Sequence, residues 1–303
     1  MSVRIGVIGV GYLGQHHARI FSRMEGAELV AVSDVNETRS REIAKMYNCK
    51  SFDNYGALID ECDALSIVTP TKTHHRIAMD CLRAGKDVFL EKPMTVSLEE
   101  ATDIIEQAVR YNLILQVGHL ERYNPAIVAA AAMIKEPLFI ESERLSPFLG
   151  RGTDVDVTLD LMIHDIDIVM SIVQSRIKDI RAIGESVITG KIDVAKAWIE
   201  FENGSKALIT ASRLAPEKKR VLKIFQREAY ILIDYQSQEV RRYFKNVSGI
   251  ECEVIKPENR EPLQDELKDF IACVKTRKKP RVSGREAKDA LEAVLRITEI
   301  LKG

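Results

Sequence analysis

At 303 residues, with 46% hydrophobic and 29% charged side chains, the chain has room for two domains and a large core. A formal net charge of −1 gives no electrostatic footprint for nucleic acid or an anionic membrane, and the longest apolar stretch, residues 126–134, is too short to span a bilayer. Five scattered cysteines without C-x-x-C spacing argue against a disulfide framework or zinc knuckle. Together with a start that lacks the pattern of a signal peptide, they lead to an expected cytoplasmic setting.

The first half alternates strands and helices. An apolar strand over residues 4–8 runs straight into Gly9-Val10-Gly11-Tyr12-Leu13-Gly14, and a helical pattern over 13–24 follows. Gly9 permits the tight turn, Gly11 lets a pyrophosphate approach the backbone, and Gly14 allows close helix–strand packing. A second strand, 28–33, ends on Asp34, where a carboxylate can bond a ribose hydroxyl but would repel a 2′-phosphate. The pattern therefore selects NAD over NADP. Arg39 and Arg41 fall in the next helical run and are expected on a solvated face. Strands at 64–68, 87–90 and 113–117 then alternate with helices at 37–47, 74–84 and 98–111. This rhythm predicts an α/β Rossmann domain, a doubly wound parallel sheet, over residues 1–120. Ligands of such sheets bind beyond the carboxyl ends of the strands.

Past Pro125 the rhythm changes. A strand at 138–144 precedes a helix at 159–172, and an alternating pair, 195–202 and 205–213, flanks an Asn203-Gly204 turn as in a hairpin. Strands at 221–226, 229–234 and 239–245 extend the pattern, and helices at 263–276 and 285–301 close the chain. Residues 121–303 are expected to form an α+β domain with a mostly antiparallel open sheet. Helices cover one face of that sheet, and the other is expected to meet a second copy in a homo-oligomer.

The residues just past the strands carry the chemistry. After strand 64–68 come Thr69, Pro70, Thr71 and His74, whose hydroxyls can cap a helix or line a cofactor. After strand 87–90 comes Glu91-Lys92-Pro93, a lysine that is either a solvated loop residue or a catalytic group. Asp160 and His164 stand four apart and share a helix face, so a carboxylate sits beside an imidazole. That pair can be a base with its orienting partner or a local stabilising pair, and His164 with Asp165 and Asp167 is open to reading as a metal site. Metal is the weaker option, because the spacing is not H-E-x-x-H and no other histidine stands nearby.

Taken together, these pieces resemble the Gfo/Idh/MocA oxidoreductase family along the whole chain. The resemblance rests on Gly9–Gly14, Glu91-Lys92-Pro93, Gly118-His119-Leu120-Glu121-Arg122-Tyr123-Asn124-Pro125, and Asp160 with His164. It implies NAD-dependent oxidation of a secondary alcohol of a sugar or polyol, with Lys92, Asp160 and His164 as the catalytic group. Lys92 and His164 come from different domains, so the reaction is expected in the cleft between them. NAD is expected to meet Gly9, Gly11, Tyr12, Leu13, Gly14, Asp34, Val35, Thr69, Pro70, Thr71, His74, Glu91, Lys92 and His119. Substrate is expected at Arg122, Tyr123, Arg151, Asp160, His164 and Arg213. The finer resemblance implies the 3-hydroxyl of UDP-N-acetylglucosamine or a related nucleotide sugar, on the way to lipid A, with an aminotransferase consuming the 3-keto product. A nucleotide diphosphate needs cations, and Arg144, Arg151, Arg213, Lys218, Lys219 and Arg220 are at hand. An inositol or aldose dehydrogenase and a non-catalytic NAD-sensing regulator are the alternatives, and retention of Lys92, Asp160 and His164 favours an enzyme.

Overall fold

The computed structural model describes residues 2–148, 150 and 155–303. In chain order the elements are β1 (Val3–Ile8), α1 (Gly14–Phe21), β2 (Ala27–Ser33), α2 (Glu37–Tyr47), β3 (Lys50–Phe52), α3 (Tyr55–Ile59), β4 (Ala64–Ile67) and α4 (His74–Arg83). Then follow β5 (Asp87–Glu91), α5 (Leu98–Arg110), β6 (Leu115–Gly118), α6 (Pro125–Ala130), β7 (Phe139–Leu145), α7 (Ile163–Val173) and β8 (Ile177–Glu185). The rest comprises β9 (Val194–Phe201), β10 (Lys206–Ser212), β11 (Lys219–Gln226), β12 (Ala229–Asp234), β13 (Glu239–Asn246), β14 (Gly249–Ile255), α8 (Pro262–Thr276) and α9 (Gly284–Lys302).

These form two compact units, Met1–His119 with Leu263–Lys288, and Leu120–Pro262 with Asp289–Gly303. The chain is thus not divided by a single cut near residue 120. It leaves the first unit, builds most of the second, and returns through α8 before α9 ends in the second.

The first unit is a parallel sheet in the order β3-β2-β1-β4-β5-β6. Its central strands are apolar almost without break, because helices cover both faces: Ile5, Val7, Leu65, Ile67, Val88, Phe89 and Leu90 are all buried. The order reverses between β1 and β4, the switch point beyond which an open α/β sheet takes its ligand. α8 belongs to this unit through Leu267, Phe270 and Ile271, which join the core of Ile5, Phe21 and Phe89. Phe270 meets Phe89 edge-on with centroids 5.7 Å apart, and Arg277 donates to Asp87 and to the Asn112 carbonyl, both at 2.6 Å.

The second unit holds an eight-stranded sheet, β14-β13-β12-β11-β7-β10-β9-β8, antiparallel except for the β7–β10 pair. Alternation sets its two faces. Ile140, Ala197, Ile199, Ile209, Leu222, Ile224 and Ile231 point to one side and pack with Ile163, Ile166 and Val169 of α7 and Val294 and Ile297 of α9. On the opposite face Phe139, Phe225, Tyr230 and Tyr243 stack ring on ring, with centroids 4.8–5.7 Å apart, and Trp198 adjoins Phe139 at 5.7 Å.

Candidate functional site

The glycine loop leaves β1 at the switch point. Gly9 has φ +88°, and a Cβ there would come within 2.5 Å of the Val68 carbonyl oxygen. At Gly14 a Cβ would lie 1.8 Å from the Gly9 carbonyl oxygen, so both positions are glycine for the sake of the fold. Gly11 differs. A Cβ there meets nothing within 4 Å, so packing makes no demand, and the open space is what a pyrophosphate lying against backbone needs. No side chain caps the start of α1, which leaves the N–H groups of that helix end open to an anionic group. Asp34 is fixed by accepting from the Val10 N–H at 2.8 Å and the Asn36 N–H at 2.9 Å. Each oxygen keeps a lone pair for a ribose hydroxyl. Tyr12, Leu13 and Val35 are exposed beside this loop. These residues fit NAD.

Arg39 departs from the expected solvated face. Its Nε donates to the Val10 carbonyl at 3.1 Å and its Nη2 to Gln15 at 2.6 Å, so it braces the glycine loop from α2. Arg41 does lie on the surface, paired with Glu37.

In the loop after β4 the Thr69 and Thr73 hydroxyls bond within the loop. No side chain caps α4; instead Thr73 bonds the Thr69 hydroxyl and the Pro70 carbonyl, both at 2.8 Å, and Thr71 opens a short 3₁₀ turn. His74 lies beneath, fully buried. Its ring nitrogens face the Thr69 carbonyl at 2.8 Å and the Pro93 carbonyl at 3.0 Å, joining this loop to the one carrying Lys92. Burial lowers the His74 pKa against the opposing pull of those carbonyls. At the end of β5 the Glu91 carboxylate turns inward, 3.3 Å from His17 Nε2 and 3.1 Å from the Lys92 N–H. His17 Nδ1 meets the Ser66 hydroxyl at 2.9 Å. Burial pushes the Glu91 pKa up, but the His17 hydrogen bond and the charges of His17 and Lys92 hold it below the usual carboxylate range. Glu91 therefore supports the Lys92 backbone from below. The peptide from Lys92 to Pro93 is cis, and His119 is buried just past β6.

In the second unit Asp160 and His164 straddle a change of helix. Thr158–Met162 is a π-helical turn, and α7 begins only at Ile163, so the expected single α-helix over 159–172 is two pieces. Such turns recur at functional sites because they re-aim side chains. The turn is anchored from α9: the Thr158 and Thr298 hydroxyls meet at 2.7 Å, and Lys302 bonds Asp156 at 2.7 Å. Asp160 and His164 are both half-buried.

Beside them lies a charge network that sequence reasoning missed. Arg144, 2% exposed, donates to both oxygens of Asp165 at 2.7 and 3.2 Å and to Glu121 at 2.9 Å. The Tyr235 ring lies 5.3 Å from its guanidinium carbon. Burial would lower the Arg144 pKa, but Asp165 and Glu121 raise it above the ordinary arginine value. Arg122 pairs with Asp167 at 3.4 Å, so the turn Leu120–Tyr123 is tied to α7 directly as well as through Arg144. Asn124 donates to Glu121 and to the Tyr235 carbonyl.

Of the expected substrate contacts, Tyr123 is buried and Arg151 lies outside the described residues. Arg213 is also buried; it donates to the Val155 carbonyl at 2.7 Å and lies 3.9 Å from Asp193. Asp165 engages Arg144 and Asp167 engages Arg122, and no group of three or more His, Cys, Asp and Glu placed to hold a metal occurs among the described residues.

Comparison with known proteins agrees with this geometry. Residues 3–119 match the oxidoreductase family model with the NAD-binding Rossmann fold, and residues 140–232 match the Gfo/Idh/MocA C-terminal domain. UDP-N-acetylglucosamine 3-dehydrogenase of Acidithiobacillus ferrooxidans is 35% identical over 97% of this chain and 96% of its own length. Its solved structure superposes with a TM-score of 0.95 over 100% of this chain and 98% of that one. The NAD-dependent scyllo-inositol 2-dehydrogenase of Bacillus subtilis is 29% identical over 98% of this chain and 93% of its own length. The scyllo-inositol dehydrogenase of Lactobacillus casei, solved with NAD(H) and scyllo-inositol, shares the fold at 21% identity and a TM-score of 0.86, covering 100% of this chain and 97% of that one. With a glycine loop and Asp34 that fit NAD, and with both domain models matched, the chain is an NAD-dependent oxidoreductase of the Gfo/Idh/MocA family.

Proposed function

We propose that the protein oxidises the 3-hydroxyl of UDP-N-acetylglucosamine to a 3-keto sugar. The observation that carries this is the 35% identity to a UDP-N-acetylglucosamine 3-dehydrogenase over nearly the full length of both chains, with the fold retained. When bound, NAD supplies the acceptor for the departing hydride. The chain's own residues handle the proton and the charge. His164 takes the O–H proton, Asp160 orients that imidazole or bonds a neighbouring hydroxyl, and the Lys92 ammonium stabilises negative charge as it develops on the oxygen.

The test is NADH formation when purified protein and NAD meet a panel of UDP-sugars, free aldoses and inositols. Turnover with UDP-N-acetylglucosamine alone supports the proposal, with an aminotransferase coupled in where the equilibrium hides the product. Turnover with an inositol alone overturns the substrate and keeps the family. The inositol reading draws on the 29% identity to the Bacillus subtilis enzyme. Tight NAD binding without turnover would mean a sensor.

The wider setting belongs to the same proposal: a cytoplasmic enzyme supplying a 3-keto sugar to an aminotransferase, on the way to lipid A. The aromatic stack from Trp198 to Tyr243 supports self-association through the open sheet face. Light scattering in solution checks this, and a monomer would overturn it.

A further inference from the structure

The second unit's cations are sorted by what they already hold. Arg144 and Arg213 are buried and engaged inside the fold. Lys219 pairs with Glu143 on the open face of the sheet. Arg220 stands apart. It lies directly opposite Arg144 in the β11–β7 register and so shares the helix-covered face, yet it remains 32% exposed. Among the described residues its one carboxylate partner is Glu121, whose Oε1 is 3.6 Å from Arg220 but 2.9 Å from Arg144. That oxygen is held first by Arg144.

The charge of Asp160 also acts on Arg220, which places the guanidinium within electrostatic reach of that carboxylate. Burial and the neighbouring Arg144 cation lower its pKa from the ordinary arginine value, against Glu121, Asp165 and Asp160. A guanidinium carries five N–H donors, and a largely buried one with a single long ion pair gains from any acceptor that arrives. Phosphoryl oxygens match its planar fork, where a sugar hydroxyl offers neither the charge nor two parallel acceptors.

We propose that Arg220 determines specificity by binding a phosphoryl group carried on the sugar substrate. The proposal rests on the nucleotide-sugar reading and deepens it, by assigning the diphosphate a partner that the sequence pattern does not single out.

The experiment compares wild type with Arg220→Gln and Arg220→Lys. In Arg220→Gln the KM for UDP-N-acetylglucosamine is expected to rise roughly 10- to 100-fold, with kcat changed by less than about threefold. Arg220→Lys keeps the charge without the fork and falls between. Calorimetric binding of UDP alone, which needs no turnover, weakens by the same factor. Loss of similar size with N-acetylglucosamine 1-phosphate supports contact at the sugar-proximal phosphate; loss confined to the UDP-sugar supports the uridine-proximal one. If KM and UDP affinity in Arg220→Gln stay within about twofold of wild type, the proposal is overturned while the substrate reading stands. A wild type that neither binds UDP nor oxidises UDP-N-acetylglucosamine, yet oxidises a free polyol, overturns both. Thermal melting establishes that each variant is folded, and if Arg220→Gln is not, the Arg220→Lys comparison decides.

Discussion

Arg144 and Asp165 are joined by two hydrogen bonds at 2.7 and 3.2 Å in a fully buried setting, one residue along the chain from His164. The pair brings the strand β7 and the start of α7 into fixed relation. Removing the cation leaves Asp165 and Glu121 as buried carboxylates without their counter-ion. Arg144→Met is therefore expected to cost about 3–5 kcal/mol of stability in urea unfolding. Arg144→Lys restores the charge without the fork and should lose less. Equal stability of Arg144→Met and wild type would show that the pair is not what holds this corner.

The glycine loop separates two roles that one motif usually hides. Gly14→Ala forces a Cβ onto the Gly9 carbonyl and should lower stability sharply, by several kcal/mol. Gly11→Ala meets no protein atom, so its melting temperature should stay within about 2 °C of wild type. NAD affinity should nevertheless fall by about tenfold or more, because the methyl takes the space over the backbone. Calorimetric titration with NAD on both variants is the check.

Lys92 is proposed to act on the reacting oxygen and to contribute little to holding the cofactor. Lys92→Ala should reduce kcat by roughly 10²–10⁴-fold. NADH binding, followed by fluorescence, should change by less than about threefold. Near-normal turnover in this variant would remove Lys92 from the chemistry.

Asp193 provides a pH handle far from the glycine loop in sequence. Its Oδ2 accepts from the N–H groups of Val187, Ile188 and Thr189 at 2.7–2.9 Å, and its Oδ1 from the Thr189 hydroxyl at 2.6 Å. Burial pushes the carboxyl up, but these donors pull harder and hold it down to about 2, against an ordinary 3.8. A depressed folded pKa contributes stability that is present above the ordinary value and is lost as pH falls toward the folded one. Wild type should accordingly melt about 2–6 °C above Asp193→Asn at pH 7, and the gap should close between pH 4 and pH 2. A gap that is constant across that range would mean that ionisation of Asp193 is irrelevant to folding.

Much of the fold is legible in the chain because two periodicities announce it. The glycine loop follows an apolar strand, and helix-spaced and strand-spaced runs alternate up to residue 118. Apart from α6, whose Pro125, Ala126, Ile127 and Ala130 are buried, the elements that escape have little buried surface. β3 is three residues long and mostly exposed, and α3 has five residues. β8 and β14 are the edges of the second sheet, where Lys178, Asp179 and Arg181, or Glu251 and Glu253, interrupt the apolar signal.

The site divides in the same way. Lys92 at a strand end and Asp160 with His164 at helix spacing stand out as candidates, but only the family resemblance joins them into one group. The Glu121–Arg144–Asp165 network does not stand out, since its members come from three separate segments and no spacing connects them. One signal was available in principle: Arg144 and Arg220 oppose each other on neighbouring strands, and like charges so placed require acids nearby. Arg39 departs from its expected place for a related reason. Helix position tells which way a residue leaves its own helix, but not that a long side chain crosses to the next loop.

The return of α8 to the first unit has a consequence for how this protein is made. Ile5, Phe21 and Phe89 are synthesised early, yet their apolar partners Leu267, Phe270 and Ile271 come more than a hundred residues later. Domains usually condense in order as they leave the ribosome. Here the nucleotide-binding half must wait, with part of its core uncovered, until the far end of the chain has emerged. Residues 1–119 expressed alone would carry that exposed surface permanently, so a shortened NAD-binding module cut at the motif boundary is a recipe for aggregation.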